Sequence, residues 1–201
     1  MRLLALLAMT LALLGAGCGD GTVRPPSNPL PSPSNGGTQT PGDPLRPQAE
    51  SLVRALLPEA ILVEVVATAS SGSAMTADDV DTFEYRFAAD PFDPQGGTAW
   101  IEARNGQFQP VAWSSQAMTS VVLAELPDSM SLADAITAMR AAGFDEPFRR
   151  VLFRRLSGTF ASFEATYAFE RTDGFVVIGV VTGAVSETTF QPEPESLIRE
   201  F

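Results

Sequence analysis

Histidine and lysine are absent from the 201 residues, and cysteine occurs once, at Cys18. All thirteen basic residues are arginines. These absences exclude a Ser-His-Asp triad, a Cys-His pair, a Schiff-base or P-loop lysine and histidine-ligated zinc. Most familiar hydrolytic and phosphoryl-transfer chemistry goes with them. Twenty-four acids against thirteen arginines give a net charge of −11. Such a surface repels nucleic acid, because phosphate binding needs a basic footprint. The residues imply no cofactor and no resident metal, and point away from an enzyme.

The chain begins with Arg2, an apolar run from Leu3 to Leu14 and the small residues Gly15-Ala16-Gly17 before Cys18. A positive start, a short apolar run and small residues at a cleavage point make up an export signal. Twelve residues are too few to span a bilayer core of ~30 Å, so residues 1–17 read as a leader that is removed. A lone thiol in an oxidising compartment is otherwise an odd, reactive group. Leu14-Gly15-Ala16-Gly17-Cys18 resembles the lipobox of bacterial lipoproteins, with Gly15 at the position where Leu is usual. The resemblance implies lipidation of Cys18 and attachment to a membrane through that lipid. Two or three acyl chains hold a protein stably where one does not. Gly19 rather than Asp after the cysteine resembles the sorting pattern of lipoproteins of two-membrane envelopes that permits transfer to the outer membrane; its periplasmic face is the expected location, with the inner membrane and the cell surface as alternatives.

Residues 18–45 read as the lipidated cysteine and a tether. Eight of the sixteen prolines fall between Pro25 and Pro47, among Ser, Asn, Gly and Thr, with little apolar surface to bury. Folding is expected from Arg46 onward, a length ordinary for one domain. Leu52, Val53, Leu56 and Leu57 have helical spacing before Pro58. Strands are then expected over Ile61 to Ala69, Thr82 to Phe87 and Thr98 to Arg104. Asn105-Gly106 favours a type I′ turn into a last strand from Gln107 to Trp113. Residues 46–115 form a first unit, one helix and four strands.

Residues 116–201 hold a connector, Met118 to Leu126, and a second unit with the same order. Ser131 and Asp134 have capping-box spacing, Leu132, Ala135, Ile136 and Met139 share a helical face, and Gly143 stands where a C-terminal cap wants it. Strands follow over Phe148 to Leu156, Phe163 to Glu170, Phe175 to Val181 and Ala184 to Thr189. The only two tyrosines, Tyr85 and Tyr167, fall at equivalent places and are followed at equal spacing by Phe87 and Phe169. The pattern suggests an internal duplication.

Ser131 to Ile136 with Ala141-Ala142-Gly143-Phe144, and Phe175-Val176-Val177-Ile178 ahead of Thr182-Gly183-Ala184-Val185, resemble the PepSY-like domain. A tandem of such units resembles the β-lactamase-inhibitor-protein architecture. Both resemblances imply an α+β fold of two helix-plus-antiparallel-sheet units, with helices on one sheet face and the other face left for a partner. Gly179 stands where that family often carries an aspartate.

Arg149, Arg150, Arg154 and Arg155 read either as a patch for an acidic partner or as cross-strand partners for acids such as Glu164 and Glu170. Trp100 and Trp113, on strands flanking Asn105-Gly106, read either as interface anchors or as core. Asp78, Asp79, Asp81, Asp90 and Asp93 read either as oxygens for Ca²⁺ or as a solvated acidic loop. The leading expectation is a non-enzymatic, lipid-anchored envelope protein whose sheet face or hairpins meet another envelope protein. The alternative is a carboxylate-pair hydrolase acting on an envelope glycan, a chemistry that needs neither His, Lys nor Cys.

Overall fold

The computed structural model describes residues 43–90, 92, 96–116, 124–155 and 164–189. The leader, Cys18, most of the tether, residues 118–123 of the connector, Leu156, Phe163 and Asp93 lie outside the described residues. The described chain forms two short helices, α1 (Arg46–Arg54) and α2 (Leu132–Ala141), and a one-turn 3-10 helix at Ala77–Asp79. Nine strands accompany them: β1 (Ile61–Thr68), β2 (Thr82–Ala88), β3 (Thr98–Arg104), β4 (Gln107–Phe108), β5 (Ala112–Ser114), β6 (Arg150–Arg155), β7 (Ala165–Glu170), β8 (Phe175–Gly179) and β9 (Val185–Thr188).

All nine belong to one antiparallel sheet in the order β4-β3-β2-β1-β6-β7-β8-β9, with β5 also on β3. This corrects the expected fold class. The chain is β-rich rather than an α+β pair of helix-plus-sheet units, because β1 and β6 pair with each other and merge the strands into a single sheet. The helices, nine and ten residues long, are too short to form a layer of their own over nine strands.

Helix α2 forms as its sequence suggests. Ser131 Oγ accepts from Asp134 N at 3.1 Å and the Asp134 carboxylate accepts in turn from Ser131 N, which satisfies otherwise orphaned amides. At the other end Gly143 adopts φ +89°, Gly143 N–H donates to Arg140 O, and Phe144 N–H donates to Met139 O. That pair is a Schellman cap, and glycine suits its left-handed residue. Helix α1 buries Arg46, Ala49 and Val53, whereas Leu52 and Leu56 of the expected apolar face are exposed. Burial follows the i, i+4 pair Ala49 and Val53, one position away from the leucines.

Both helices pack on the same sheet face. Their buried residues share one cluster with Leu62, Val65, Tyr85, Phe87, Ile101, Phe153, Tyr167, Phe169 and Ile178. Leu62 and Val65 are three apart yet face the same side because a bulge interrupts the β1–β2 register between Leu62 and Glu64. The second face carries a smaller cluster, Val66, Leu152, Ala168, Phe175 and Val177, which among the described residues is drawn from the sheet alone. Tyr85, Phe87 and Phe169 are fully buried and Tyr167 nearly so. Glu84, Arg86 and Glu170 lie on the opposite face as expected but are only partly exposed, and Thr166 is buried there.

Turn chemistry sets the strand ends. Asn105 and Gly106 both have positive φ, +48° and +76°, as a type I′ turn requires. The strand expected from Gln107 to Trp113 is split into β4 and β5 around Pro110, which has no N–H to give to a ladder. Strand β8 stops at Gly179, earlier than Val181. A Cβ on Gly179 would lie 2.4 Å from Glu164 Oε1 and 2.5 Å from Thr182 Oγ1. Glu164 there accepts from Val181 N, Thr182 N and Thr182 Oγ1 at 2.8–3.0 Å, closing the turn into β9.

Phe87 and Phe169 fill the helix-side core from strands on opposite sides of the β1–β6 seam. Replacing either by Ala should lower the unfolding free energy by ~3–5 kcal/mol, measured by denaturant titration. A loss below ~1 kcal/mol at both positions would contradict their placement.

Candidate functional site

The cross-strand register arranges the second face in rows. One row reads Trp100, Arg86, Glu64, Arg154, Thr166, Gly179 across six strands. At its centre Glu64 is buried and sits between two guanidinium groups: Oε2 is 2.7 Å from Arg86 Nη1 and Oε1 is 3.0 Å from Arg154 Nη1. Arg86 also donates through Nε to Glu84. Burial works against the Arg86 charge, but Glu64 and Glu84 more than offset it, so its pKa is raised.

The four candidate arginines therefore separate. Arg150 and Arg154 share the second face, as strand alternation requires. Arg150 pairs with Glu170 at 2.8 Å and Arg154 with Glu64. Arg155 lies opposite Ala165, on the helix side. Arg149 is exposed just before β6, and its backbone N–H donates to Glu170 O. Cross-strand pairing with Glu170 follows the sequence reading, but Glu164 serves the β8–β9 turn instead. The hydrogen bonds to Thr182 and Val181 hold the Glu164 carboxyl below the usual carboxylate range despite its partial burial. Glu64 was not legible as a partner, since a lone Glu in an apolar run signals burial without naming the charge it meets.

The two tryptophans part company as well. Trp100 is half-buried in its row, whereas Trp113 on β5 is 56% exposed. Trp113 lies at the end of the sheet where β2 ends, β3 begins and β5 ends, since Ala88 pairs with Thr98 and Thr98 with Ser114. Phe92, 89% exposed in the loop after β2, and Leu56, just before β1, are at the same end.

The helix-side face contains a cleft with an interior of about 30 Å³. Val65, Ala67, Phe83, Val151, Phe153 and Tyr167 form its apolar wall, and Asp43, Arg46 and Asp128 bring charge. Each tyrosine ties the chain just ahead of a helix to the sheet: Tyr85 O–H donates to Asp43, and Tyr167 O–H donates to Met130 O at 2.9 Å. A phenylalanine at either place would pack but could not make the tie. Burial raises both phenol pKa values, and the nearby Asp43 charge adds to the effect. Arg46 is engaged with Glu50 and with the carbonyls of Leu126 and Pro127. Asp43, three residues before Arg46, where folding is expected to begin, is thus bound into the packed domain.

Three of the loop acids, Asp79, Asp81 and Asp90, have local partners. Asp79 accepts from the backbone N–H groups of Met75 and Thr76, Asp81 from Ser70, and Asp90 from Phe92 N. These bonds hold Asp79 and Asp81 below the usual range. Among the described residues no group of three or more acids is placed to hold a metal ion, and no helix is long and apolar enough to cross a membrane.

No family model, curated protein or solved structure matches this chain. The reading of its sites therefore rests on geometry and chemistry alone.

Burial raises the Asp43 pKa above the ordinary aspartate range, and Asp128 adds to the effect, against the hydrogen bonds from Tyr85 and Leu45 and the charge of Arg46. The folded state thus holds the Asp43 proton more tightly than the unfolded chain does. Its contribution to stability is fully present below the unfolded pKa and lost as pH rises through the folded value. Asp43→Asn keeps an acceptor for Tyr85 and removes the titration. The stability of the wild type relative to this variant should fall with rising pH across the carboxylate range and level off above it, as followed by urea unfolding at stepped pH. A difference that is flat with pH, or that grows as pH rises, would contradict the assignment.

Proposed function

We propose that this protein is a non-enzymatic, lipid-anchored binding or assembly module of the cell envelope, held through Cys18 on the periplasmic side of the outer membrane. Its aromatic sheet end meets another envelope protein. The observation that carries the binding role is Trp113, exposed on a strand, with Phe92 and Leu56 exposed at the same end. Exposed apolar side chains on segments that meet one end of the sheet suit an interface, and aromatic anchors of this kind carry much of the energy at protein contacts. Arg150 and Arg154 are engaged within the domain, which supports moving the partner site away from them and towards Trp113. The lipid anchor rests on Leu14 to Cys18 and on the tether that follows.

A carboxylate-pair hydrolase acting on an envelope glycan is the rival reading. It needs a cleft that admits a sugar between two acids. Asp43 and Asp128 do line one cleft, but its interior of about 30 Å³ is a tenth of the ~300 Å³ at which ligand pockets begin. Moreover, Asp43 is committed to Tyr85 and the start of α1.

Two variants test the two parts of the proposal. Cys18→Ser should move the protein out of the detergent-requiring membrane fraction or block its processing. Trp113→Ala should leave the unfolding midpoint within ~0.5 kcal/mol of wild type while abolishing retention of the envelope protein that the wild-type chain captures. Unchanged membrane association of the first variant would overturn the anchor, and unchanged capture by the second would overturn the aromatic interface.

A further inference from the structure

On the second face, Val66, Leu152, Ala168 and Phe175 are 9%, 6%, 1% and 6% exposed. Their apolar cluster contains no residue from either helix or from any other described layer. One sheet cannot by itself bury a leucine or a phenylalanine on an uncovered face. Flanking arginine stems shield part of such a residue, but an apolar strip four strands wide needs a second layer. The strip runs from β1 through β6 and β7 to β8 and so approaches β9, the last described strand, after which residues 190–201 follow in sequence.

We propose that this face is the docking site of the chain's own residues 190–201. Their sequence, Phe190-Gln-Pro-Glu-Pro-Glu-Ser-Leu-Ile-Arg-Glu-Phe201, supplies four large apolar residues, Phe190, Leu197, Ile198 and Phe201, and three acids, Glu193, Glu195 and Glu200. The acids suit a strip bordered by Arg150 and Arg154, which flank Leu152 on the same face. Reach is sufficient. Twelve residues extend to ~40 Å, and the four inter-strand steps from β9 to β1 cover ~19 Å. Prolines at 192 and 194 suit an extended layer laid over the sheet rather than another strand hydrogen-bonded to β9. The inference is intramolecular and independent of the partner proposed for the Trp113 end.

The test uses the full chain with Cys18→Ser as background. Val177→Cys, on the strip, is combined in turn with Leu197→Cys and Ile198→Cys, and Trp113→Cys with the same two positions serves as the control. Mild oxidation should join Val177→Cys to at least one of the two in high yield and within one chain, and should leave the control pairs unjoined. Removal of residues 190–201 should speed amide exchange in β6–β8 at least tenfold. A synthetic peptide of residues 190–201 should then bind the shortened chain at least tenfold more tightly than the full chain. Crosslinking no better than the control, or unchanged exchange in the shortened chain, would overturn the proposal. So would preferential joining of Val177→Cys to Phe160→Cys, which would give the face to the segment between β6 and β7.

Discussion

Glu64 is the charge on which the sheet's arrangement depends. It lies in β1, the strand shared by the two halves of the sheet, with Arg86 of β2 on one side and Arg154 of β6 on the other. A buried carboxylate without a partner is strongly unfavourable, and a paired one is tolerated where its oxygens are satisfied. Such a pair adds little net stability compared with well-packed apolar residues, but it discriminates sharply between registers. A one-residue slip of β1 against β6 would turn Glu64 into the helix-side core among Tyr85, Phe87 and Phe153, leaving both arginines unmatched. The bulge between Leu62 and Glu64 works with this constraint, letting Leu62 stay in the core while Glu64 faces the guanidinium groups.

From that seam the remaining structure follows by alternation. Strands extend outward on each side of β1 and β6, with aromatic residues of β2 and β7 on the helix face. The two tyrosine hydroxyls reach past the core to fix the chain just before each helix. The helices are therefore held at their starts by polar ties and along their length by buried apolar residues, Ala49 and Val53 in one and Ala135, Ile136, Ala138 and Met139 in the other. Charge is confined to paired positions inside the sheet, and apolar surface reaches solvent chiefly at strand ends, where Trp113 and Phe92 stand. A domain built in this way presents an interface at its end without disturbing the pairing at its centre.

Local signals in the sequence were informative where the physics is local. The capping box at Ser131, the glycine after α2 and the turn at Asn105-Gly106 each depend on a few neighbouring residues and form as their chemistry requires. Alternation in Phe83-Glu84-Tyr85-Arg86-Phe87 identified the buried aromatic face. What depends on long-range pairing was not legible. That β1 would pair with β6, and so make one β-rich sheet instead of two helix-plus-sheet units, is decided by contacts between residues some ninety positions apart. The Glu64–Arg154 pair and the role of Glu164 in the β8–β9 turn share that origin. Leu52 and Leu56 misled because leucine outranks alanine as a sign of burial, although the close approach of α1 to the sheet favours the small Ala49 and Val53. Of the candidate residues, Trp113 and Arg149 are exposed, whereas Trp100, Arg150 and Arg154 are drawn into the sheet, a division set by the assembled sheet rather than by composition.

The most direct measurement of this account is the unfolding free energy of Glu64→Gln set beside that of a triple variant in which Glu64, Arg86 and Arg154 all become Met. Removing the one carboxylate leaves two arginines facing a neutral residue and should cost ~3–5 kcal/mol, whereas replacing the whole group by apolar side chains should recover most of that loss. If Glu64→Gln unfolds within ~0.5 kcal/mol of the wild type, Glu64 is not the buried charge on which the sheet depends, and the account of the seam is wrong.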